Sequence, residues 1–94
     1  YKFGTTKRFD KALKLCKKRG YPIEELRKAI AILVENGSLS SEYKPHILHG
    51  NHEGEWEAHI KPDWLLVWEQ NDDELTLLML TTGTHSDVFG KTRR

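Results

Sequence analysis

Residues 56–81, WEAHIKPDWLLVWEQNDDELTLLMLT, predict three consecutive β-strands. The first alternates apolar with polar residues, which indicates one solvated face, and the other two are almost continuously apolar, which indicates burial on both faces. The predicted strands are residues 56–60, 64–69 and 74–81. Turn-forming residues separate the strands at Lys61-Pro62 and at Asn71-Asp72-Asp73. The second half of the chain is therefore predicted to form a small antiparallel sheet.

The first half of the chain has the apolar period of two amphipathic helices. The repeating apolar positions are Phe9, Leu13 and Cys16 in the first helix and Leu26, Ile30 and Leu33 in the second. Thr5 or Thr6 supplies an N-cap for the first helix, and Arg19-Gly20 ends it. Pro22 suits the first turn of the second helix, and Asn36-Gly37 ends it.

These elements predict an α+β fold in which two antiparallel helices pack on a small, mainly antiparallel sheet. Residues 1–3 add a short strand before the first helix, and residues 38–45 link the helices to the sheet. Cys16 falls on the apolar side of its helix and is predicted to be ordinary core. A chain of 94 residues supports one modest core, so residues 1–94 are predicted to form a single domain.

The composition is typical of a soluble globular protein. Hydrophobic residues make up 37% and charged residues 31%, which provides for both a core and a solvated surface. The longest apolar runs are too short to cross a bilayer, and the basic N-terminal segment lacks the apolar block of a signal peptide. We therefore expect a cytoplasmic protein with no membrane partner.

Charge is strongly segregated along the chain although the net charge is only +1. Residues 1–28 carry ten Lys or Arg against three acidic residues, residues 29–77 carry two against ten, and residues 78–94 carry three against one. The basic N-terminal block indicates a polyanionic partner, either nucleic acid or an acidic protein. A solvated helix face that balances the acidic sheet explains the same pattern, and charge alone does not separate the two interpretations.

Four residues around the predicted strands suggest proton-transfer chemistry: His46, His59, Asp63 and His85. His59 ends one strand, Asp63 begins the next across a tight turn, and His85 follows the third strand. These three side chains can therefore converge at one region of the sheet. Imidazole changes charge near neutral pH, so several imidazoles with one carboxylate are suited to acid–base catalysis. Surface or capping histidines without a shared role are the structural alternative.

Metal binding is the other chemistry that clustered histidines suggest. His46, His49 and His52 recur at three-residue spacing, and His59 precedes Asp63 by four residues. Neither spacing matches a familiar metal motif, and no cysteine or second close carboxylate completes a ligand set. We therefore predict no metal and no other cofactor, with His49 and His52 facing solvent or the edge of an RNA.

Three stretches of sequence carry a recognisable pattern. They are YKPHILHG at residues 43–50, AHIKPDWLL at residues 58–66 and TGTHSDVF at residues 82–89. With three histidines at this spacing, the chain closely resembles the YafQ branch of the RelE/ParE toxin superfamily. The resemblance covers essentially the whole chain in element order, and its specificity lies in residues 43–66 and 82–89.

The resemblance implies a RelE-like fold and a bacterial toxin of a type II toxin–antitoxin system. Such a toxin is an mRNA interferase, a metal-independent endoribonuclease that cuts messenger RNA in the ribosomal A site and inhibits translation. The implied protein partner is a cognate antitoxin of the RelB/DinJ kind, and operator DNA is bound only through that antitoxin. By the match of motifs, the residues similar to the family's catalytic residues are His46, His59, Asp63 and His85.

The chemistry of RNA cleavage agrees with these residue types. Cleavage without a metal requires a base for the ribose 2′-OH, an acid for the departing 5′-oxygen and positive charge beside the phosphorane. We predict that His85 is the acid, that His46 or His59 is the base or a charge stabiliser, and that Asp63 orients an imidazole. The acid and base can also be exchanged. The products are a 2′,3′-cyclic phosphate or 3′-phosphate and a 5′-hydroxyl.

Five further residues are predicted RNA contacts: Trp64, Phe89, Lys61, Thr81 and Lys91. Phe89 follows an exposed turn and is suited to stack on a nucleotide, with a hydrophobic lid on the core as the alternative. Trp64 opens a buried strand, so its alternative is a place in the core. Positive charge can come from Lys61, Lys91 or Arg93, from a lysine of the first helix, or from a protonated histidine.

The chain departs from the family pattern at two positions. YafQ-like toxins often place one arginine just before the Thr-Gly-Thr-His turn and another in the first central strand, where this chain has Thr81 and Trp56. Arginine is well shaped for a phosphorane, and the loss of one is expected to cost on the order of a few kcal/mol of transition-state stabilisation. The expected phosphate clamp is therefore incomplete.

Two other functions remain open from the sequence. A catalytically weakened toxin-fold protein would act mainly through antitoxin binding and autoregulation of its operon. A ParE-like inhibitor of a topoisomerase would share the fold, but it gives the histidines no role and therefore ranks last.

Overall fold

The structure, a computed structural model, describes residues 1–48 and 54–90. Within these ranges the elements are β1 (Lys2–Thr5), α1 (Lys7–Lys18), α2 (Ile23–Asn36), β2 (His46–Ile47), β3 (Glu55–Lys61), β4 (Trp64–Asn71), β5 (Thr76–Gly83) and α3 (His85–Phe89), with a 3₁₀ turn at Ser41–Tyr43. None of the helices in this part of the chain is long and apolar enough to span a membrane. His49, His52, Lys91 and Arg93 lie outside the described residues.

The sheet has the strand order β1-β5-β4-β3-β2. β1 runs parallel to β5, and the other neighbouring pairs are antiparallel. This arrangement confirms the predicted α+β fold with a mainly antiparallel sheet. The short N-terminal strand is also confirmed, and it extends to Thr5 because Thr5 pairs with Met79.

The predicted caps place the helices correctly to within a few residues. Thr6 is the N-cap of α1, and its Oγ1 accepts a hydrogen bond from the backbone N–H of Phe9 at 3.0 Å. Pro22 lies at the N-cap of α2 rather than inside its first turn. Gly37 ends α2 with a φ of 72°, a left-handed conformation that favours glycine.

The two faces of the sheet have different surroundings. We call the face covered by α1 and α2 the helix face. It forms the core with Phe9, Cys16, Leu26, Ala29 and Leu33 from the helices and Ala58, Ile60, Leu66, Trp68 and Met79 from the strands. The prediction that Cys16 is core is confirmed, and burial raises the pKa of its thiol. Successive strand residues point to opposite faces, so the intervening residues form a second surface.

We call this second surface the histidine face, formed by Glu57, His59, Leu65, Val67 and Thr81. In the β4–β5 ladder Val67 pairs with Thr81 and Trp68 pairs with Met79, so Leu80 is an extra residue in β5. Such a bulge reverses the facing of the residues beyond it. Because Met79 packs in the core, the bulge is what brings Thr81 to the histidine face.

Two short elements were not predicted from the sequence. β2 spans only His46–Ile47, and α3 spans only His85–Phe89, so neither is long enough to show an apolar period. His46 comes before the first predicted strand in the chain, and the structure places it in β2 as the cross-strand partner of Glu57. Thr84 and Asp87 form a capping box that begins α3, and this sequence signal was available.

Candidate active site on the histidine face

Asp63 and His85 form the most closely held pair of the site. Asp63 lies in the tight turn between β3 and β4, and His85 is the first residue of α3. Asp63 Oδ1 accepts a hydrogen bond from the backbone N–H of His85 at 3.0 Å and lies 2.5 Å from its ring Nδ1. These two bonds hold the pKa of the Asp63 carboxyl below its usual value. An ionised carboxylate only accepts hydrogen bonds, so Nδ1 of His85 is the donor and Nε2 remains for other chemistry.

Glu57 connects the other two histidines. Its Oε1 lies 3.2 Å from His46 Nε2 and 3.9 Å from His59 Nε2. Glu57 is only 5% exposed, and among the described residues its Oε2 has no hydrogen-bond partner. A buried carboxylate with an unsatisfied oxygen is costly and is uncommon outside functional sites. Glu57 thus pairs with His46 and lies close to His59 from one position on β3.

His59 joins these two groups into one cluster. Its ring centroid lies 5.7 Å from that of His85, with the ring planes at 69°. The structure therefore brings together all four residues that the sequence singled out: His46, His59, Asp63 and His85. Three imidazoles and two carboxylates lie on one face of a rigid sheet, an arrangement suited to moving protons between neighbouring groups.

A cavity of about 310 Å³ adjoins this cluster on the same face. Val67 lines it and is the cross-strand partner of both Glu57 and Thr81, so the cavity begins one strand away from the carboxylate that holds His46. Arg8 from α1 and Phe89 from α3 also line the cavity. Its volume lies at the lower end of the range that is typical of small-molecule sites.

α3 is fixed to the rest of the molecule by a salt bridge. The Arg19 guanidinium at the end of α1 donates two hydrogen bonds to the Asp87 carboxylate, at 2.5 and 3.2 Å. The guanidinium holds the pKa of Asp87 at about 2. Gly83 leaves room for this arrangement, because a Cβ there would lie 2.8 Å from the Asp87 side chain. His85 and Phe89 are therefore carried by an anchored element.

Comparison with known proteins identifies the family. Residues 1–90 match the family model described as the bacterial toxin YafQ of type II toxin–antitoxin systems. The chain belongs to the YafQ toxin family. The mRNA interferase toxin YafQ of Escherichia coli K12 is 35% identical over 83 residues, which cover 87% of this chain and 88% of that protein. This finding confirms the resemblance inferred from the motifs.

Solved structures of similar proteins confirm the RelE-like fold of the YafQ family. A chain of the E. coli DinJ–YafQ complex has a TM-score of 0.86 at 32% identity, covering 94% of this chain and 97% of that chain. A metal-bound toxin from Helicobacter pylori has a TM-score of 0.85 at 38% identity, covering 94% and 98%. In residues 1–48 and 54–90 of the present YafQ-family chain, no three His, Cys, Asp or Glu side chains form a group that could hold a metal ion.

The structure corrects the predicted RNA contact at Trp64. Trp64 is 2% exposed, and its Nε1 donates a hydrogen bond to Thr82 Oγ1 at 2.9 Å inside the core. Its ring also meets the Tyr21 ring edge-on at 5.0 Å. A side chain enclosed in this way has no surface for a nucleotide, so the alternative of a core residue is correct. Trp64 supports the turn that carries Asp63.

The other predicted RNA-contact residues that the structure describes lie at the surface or line the cavity. Phe89 is 49% exposed and lines the cavity, which favours a ligand contact over a lid on the core. Lys61 is half exposed and lies 3.8 Å from Glu25. Thr81 is buried at the side of the cavity and can present only a small neutral hydroxyl. RNA contacts at these positions remain predictions.

The structure also corrects the interpretation of Trp56 as a position that has lost an arginine of the phosphate clamp. Its ring stacks on Trp68 with centroids 6.1 Å apart, on the helix face. An arginine at position 56 would therefore leave the sheet on the side opposite His59. Thr81 does lie on the histidine face. Of the two positions, only Thr81 therefore leaves the expected phosphate clamp without an arginine.

Two residues of this site were missed from the sequence, Glu57 and Arg8. Strand alternation could have found Glu57, because residues two apart share a face and His59 was already singled out. Nothing local marks Arg8 among the many basic residues of the N-terminal block. The pairing of β1 with β5 ends at Met79, so the last residues of β5 lie beside the start of α1. This arrangement brings Arg8 to the site.

Proposed function

We propose that this chain is a ribosome-dependent endoribonuclease that cleaves messenger RNA by attack of the ribose 2′-OH, with histidines as acid and base. The observation that carries the proposal is the joined cluster in which Glu57 pairs with His46 and lies beside His59, and in which Asp63 holds His85. The relative named as an mRNA interferase toxin supports RNA as the substrate class.

His46 or His59 takes the proton from the 2′-OH as the bond from the 2′-oxygen to phosphorus forms. Glu57 lies beside both rings, and its carboxylate can stabilise the imidazolium that forms. His59 lies nearer to His85, and His46 lies at the sheet edge, so the two rings occupy different positions relative to a bound phosphate. His46 must give up one of two contacts to accept the proton, because its Nδ1 lies 3.2 Å from the Lys44 carbonyl oxygen and its Nε2 lies 3.2 Å from Glu57. The ring of His59 is less tightly held, and the His46→Ala and His59→Ala variants separate the two candidates.

His85 donates a proton to the 5′-oxygen as the bond from phosphorus to that oxygen breaks. Its Nδ1 is occupied by Asp63, so the donated proton comes from Nε2. The products are a 2′,3′-cyclic phosphate, which can open to a 3′-phosphate, and a 5′-hydroxyl. Asp63 also accepts a hydrogen bond from the backbone N–H of His85, which does not involve the ring. This contact keeps Asp63 in place, so that it can orient the ring again in each turnover.

We further propose that this reaction requires no metal. The reaction needs one base, one acid and local positive charge, and side chains can supply all three. Toxin that has been dialysed against a chelator and then assayed with the Mg²⁺ that ribosomes themselves require is therefore expected to cleave at an undiminished rate. A rate that falls after this dialysis and returns when one transition metal is added back would contradict this proposal.

The proposed partners are the ribosome with its A-site message and a RelB/DinJ-type antitoxin, through which operator DNA is bound. The E. coli DinJ–YafQ complex supports an antitoxin of that type. The basic residues of α1 suit either ribosomal RNA or an acidic antitoxin. Ribosomes as the site of action place the protein in the bacterial cytoplasm.

The test is primer extension on a ribosome-bound message with wild type, His46→Ala, His59→Ala and His85→Ala in parallel. Loss of the general acid is expected to slow cleavage by about 100-fold to 10,000-fold in His85→Ala. His85→Asn keeps a polar group of similar size, and it should be as slow as His85→Ala if proton donation is what matters. An undiminished His85→Ala enzyme would contradict the assignment.

The weakened-toxin alternative has one observation in its favour, the neutral Thr81 on the histidine face. It predicts tight antitoxin binding together with no cleavage of ribosome-bound message between about pH 6 and pH 8, where histidines titrate. Absence of growth arrest on expression would point the same way.

A further inference from the structure

The histidine face needs a fixed positive charge to hold a phosphate group. Close to the imidazoles lie the carboxyl groups of Glu57 and Asp63, which repel a phosphate diester when ionised. Lys44 and Lys61 line a separate cavity with His59, away from Thr81. A phosphorane gains a further negative charge as it forms, so preorganised cationic donors are worth most at that stage. Thr81, which faces the cavity from β5, offers only a hydroxyl.

Arg8 is positioned to meet this need. It lies in the first turn of α1, where Thr6 Oγ1 donates a hydrogen bond to the backbone carbonyl of Leu80 at 2.8 Å. This contact ties the start of α1 to the bulge of β5, next to Thr81. Arg8 lines the same cavity as Thr81 and Phe89. In the part of the chain that the structure describes, it is the only basic residue that lines this cavity.

The guanidinium of Arg8 is both held and available. Its Nη2 donates a hydrogen bond to the backbone carbonyl of Val88 at 2.9 Å, which fixes the side chain against α3. A guanidinium has five N–H donors, so one bond to a carbonyl leaves others for a ligand. Glu55 also lines the cavity, and its carboxylate repels an anion. A cation that offsets this repulsion is therefore needed for an anion to bind there.

We infer, on the basis of the proposed function, that Arg8 binds the phosphate group of the RNA on the histidine face and supplies the positive charge that position 81 lacks. Planar bidentate pairing makes arginine the best side chain for this task. Arg8 reaches the phosphate from α1 across the end of β5, whereas the imidazoles reach it from β2, β3 and α3. The base attached to that phosphate then lies beside Phe89.

A purely structural role for Arg8 predicts different results. The bond to Val88 could serve only to hold α3, in which case its loss would disturb His85 indirectly. The double variant Arg8→Ala with Thr81→Arg separates the two roles. It places a guanidinium at the cavity from β5 instead of from α1, but it does not restore the bond to Val88.

The experiment measures single-turnover cleavage of ribosome-bound message by wild type, Arg8→Ala, Arg8→Lys and the double variant. Arg8→Ala is expected to be about 100-fold slower, because one preorganised donor to the transition state is lost. Arg8→Lys should fall between Arg8→Ala and wild type, since it keeps the charge but not the fork. Lys11→Ala is the matched control, an exposed cation on the same helix that does not line the cavity, and it should slow cleavage far less than Arg8→Ala does.

Recovery of at least tenfold in the double variant supports phosphate binding, and equal rates for Arg8→Ala and wild type overturn it. A slow Arg8→Ala enzyme with no recovery from Thr81→Arg and full activity in Arg8→Lys at saturating message also overturns it, in favour of the structural role.

A second readout does not depend on cleavage. Inorganic phosphate is titrated into ¹⁵N-labelled protein, and the signals of the Arg8 side chain and the Thr81 amide are followed by NMR. Saturable shifts in wild type and Lys11→Ala that vanish in Arg8→Ala support the site even if no message is cleaved, in which case only the proposed function fails. Shifts that persist at Thr81 in Arg8→Ala contradict the site.

Discussion

The helix face and the histidine face belong to the same three central strands, yet they are built in opposite ways. On the helix face, side chains such as Leu66, Trp68 and Met79 are almost fully buried and apolar. On the histidine face, Glu57 and Thr81 are also buried but polar, and among the described residues the short α3, the start of α1 and Leu48 lie over the surface. Alternation along a strand thus assigns stability to one face and chemistry to the other.

The histidine face also contains a group that lowers the stability of the fold. Glu57 keeps a buried oxygen without a hydrogen-bond partner among the described residues, which an ordinary core position would exclude. Strained or unsatisfied groups are retained where they serve a function. Substitutions on the helix face should therefore affect folding, and substitutions on the histidine face should affect RNA cleavage.

The largest effect is expected on the helix face. Trp68→Ala removes a fully buried ring that stacks on Trp56, and it should lower the free energy of unfolding by about 3–5 kcal/mol. Urea unfolding followed by circular dichroism measures this change. Glu69→Ala, at the next position and exposed, is the control and should stay within about 0.5 kcal/mol of wild type. A similar loss in both variants would mean that the two faces do not differ in this way.

The second-largest effect is expected on the histidine face, in the rate of RNA cleavage. Asp63→Asn removes the charge that fixes His85, and it should slow cleavage by about 100-fold with little change in stability. The asparagine oxygen can still accept from the backbone of His85, so α3 should remain in place. Single-turnover cleavage and urea unfolding of the same preparation measure the two quantities. A variant that cleaves normally would show that the pairing at 2.5 Å has no part in the reaction.

Most of the fold could be predicted from the sequence because long elements carry periodic signals, and the four principal residues of the candidate site because they lie in recognisable motifs. The three central strands and both long helices were found from apolar spacing, and the motifs located His46, His59, Asp63 and His85. β2 and α3 were missed because two and five residues are too short for any period. Their positions depend on pairing with β3 and on a capping box.

The remaining errors concern which face a residue occupies. The bulge at Leu80 moves Thr81 to the histidine face, and such a shift of register leaves no trace in apolar spacing. Trp56 was interpreted as a lost arginine of the clamp, although alternation from His59 places it on the other face. Arg8 is far from the histidines in sequence, and only the end of the β1–β5 pairing brings it to them.

Phe89 provides a test of the exposed rim of the histidine face. Phe89→Ala should raise the KM for ribosome-bound message by about tenfold, since stacking on one base contributes roughly 1–3 kcal/mol. The value of kcat should change little because the acid and base are retained. Phe89→Trp preserves an aromatic face and should restore binding. A loss of stability without any change in KM would instead indicate the hydrophobic lid.

The smallest effect concerns the salt bridge that fixes α3, and it depends on pH. Arg19→Ala should lower the free energy of unfolding by about 1 kcal/mol near neutral pH, with allowance for solvent screening of this partly exposed pair. Asp87 has a pKa of about 2 in the folded protein, below the 3.8 of a free side chain. A depressed pKa stabilises the folded state where the carboxyl is ionised in both states, above about pH 5, and the stabilisation disappears as the pH falls from about 4 towards 2.

The difference in stability between wild type and Arg19→Ala should therefore be constant from about pH 7 to pH 5 and should shrink towards pH 3. Urea unfolding at several pH values measures it. Arg27→Ala is the matched control, because Arg27 pairs with Glu24 at 3.1 Å on an exposed helix surface where such pairs contribute little. A difference that persists unchanged at pH 3 would mean that Arg19 stabilises α3 by packing rather than by its charge. The anchoring of His85 would then not depend on the ionisation of Asp87.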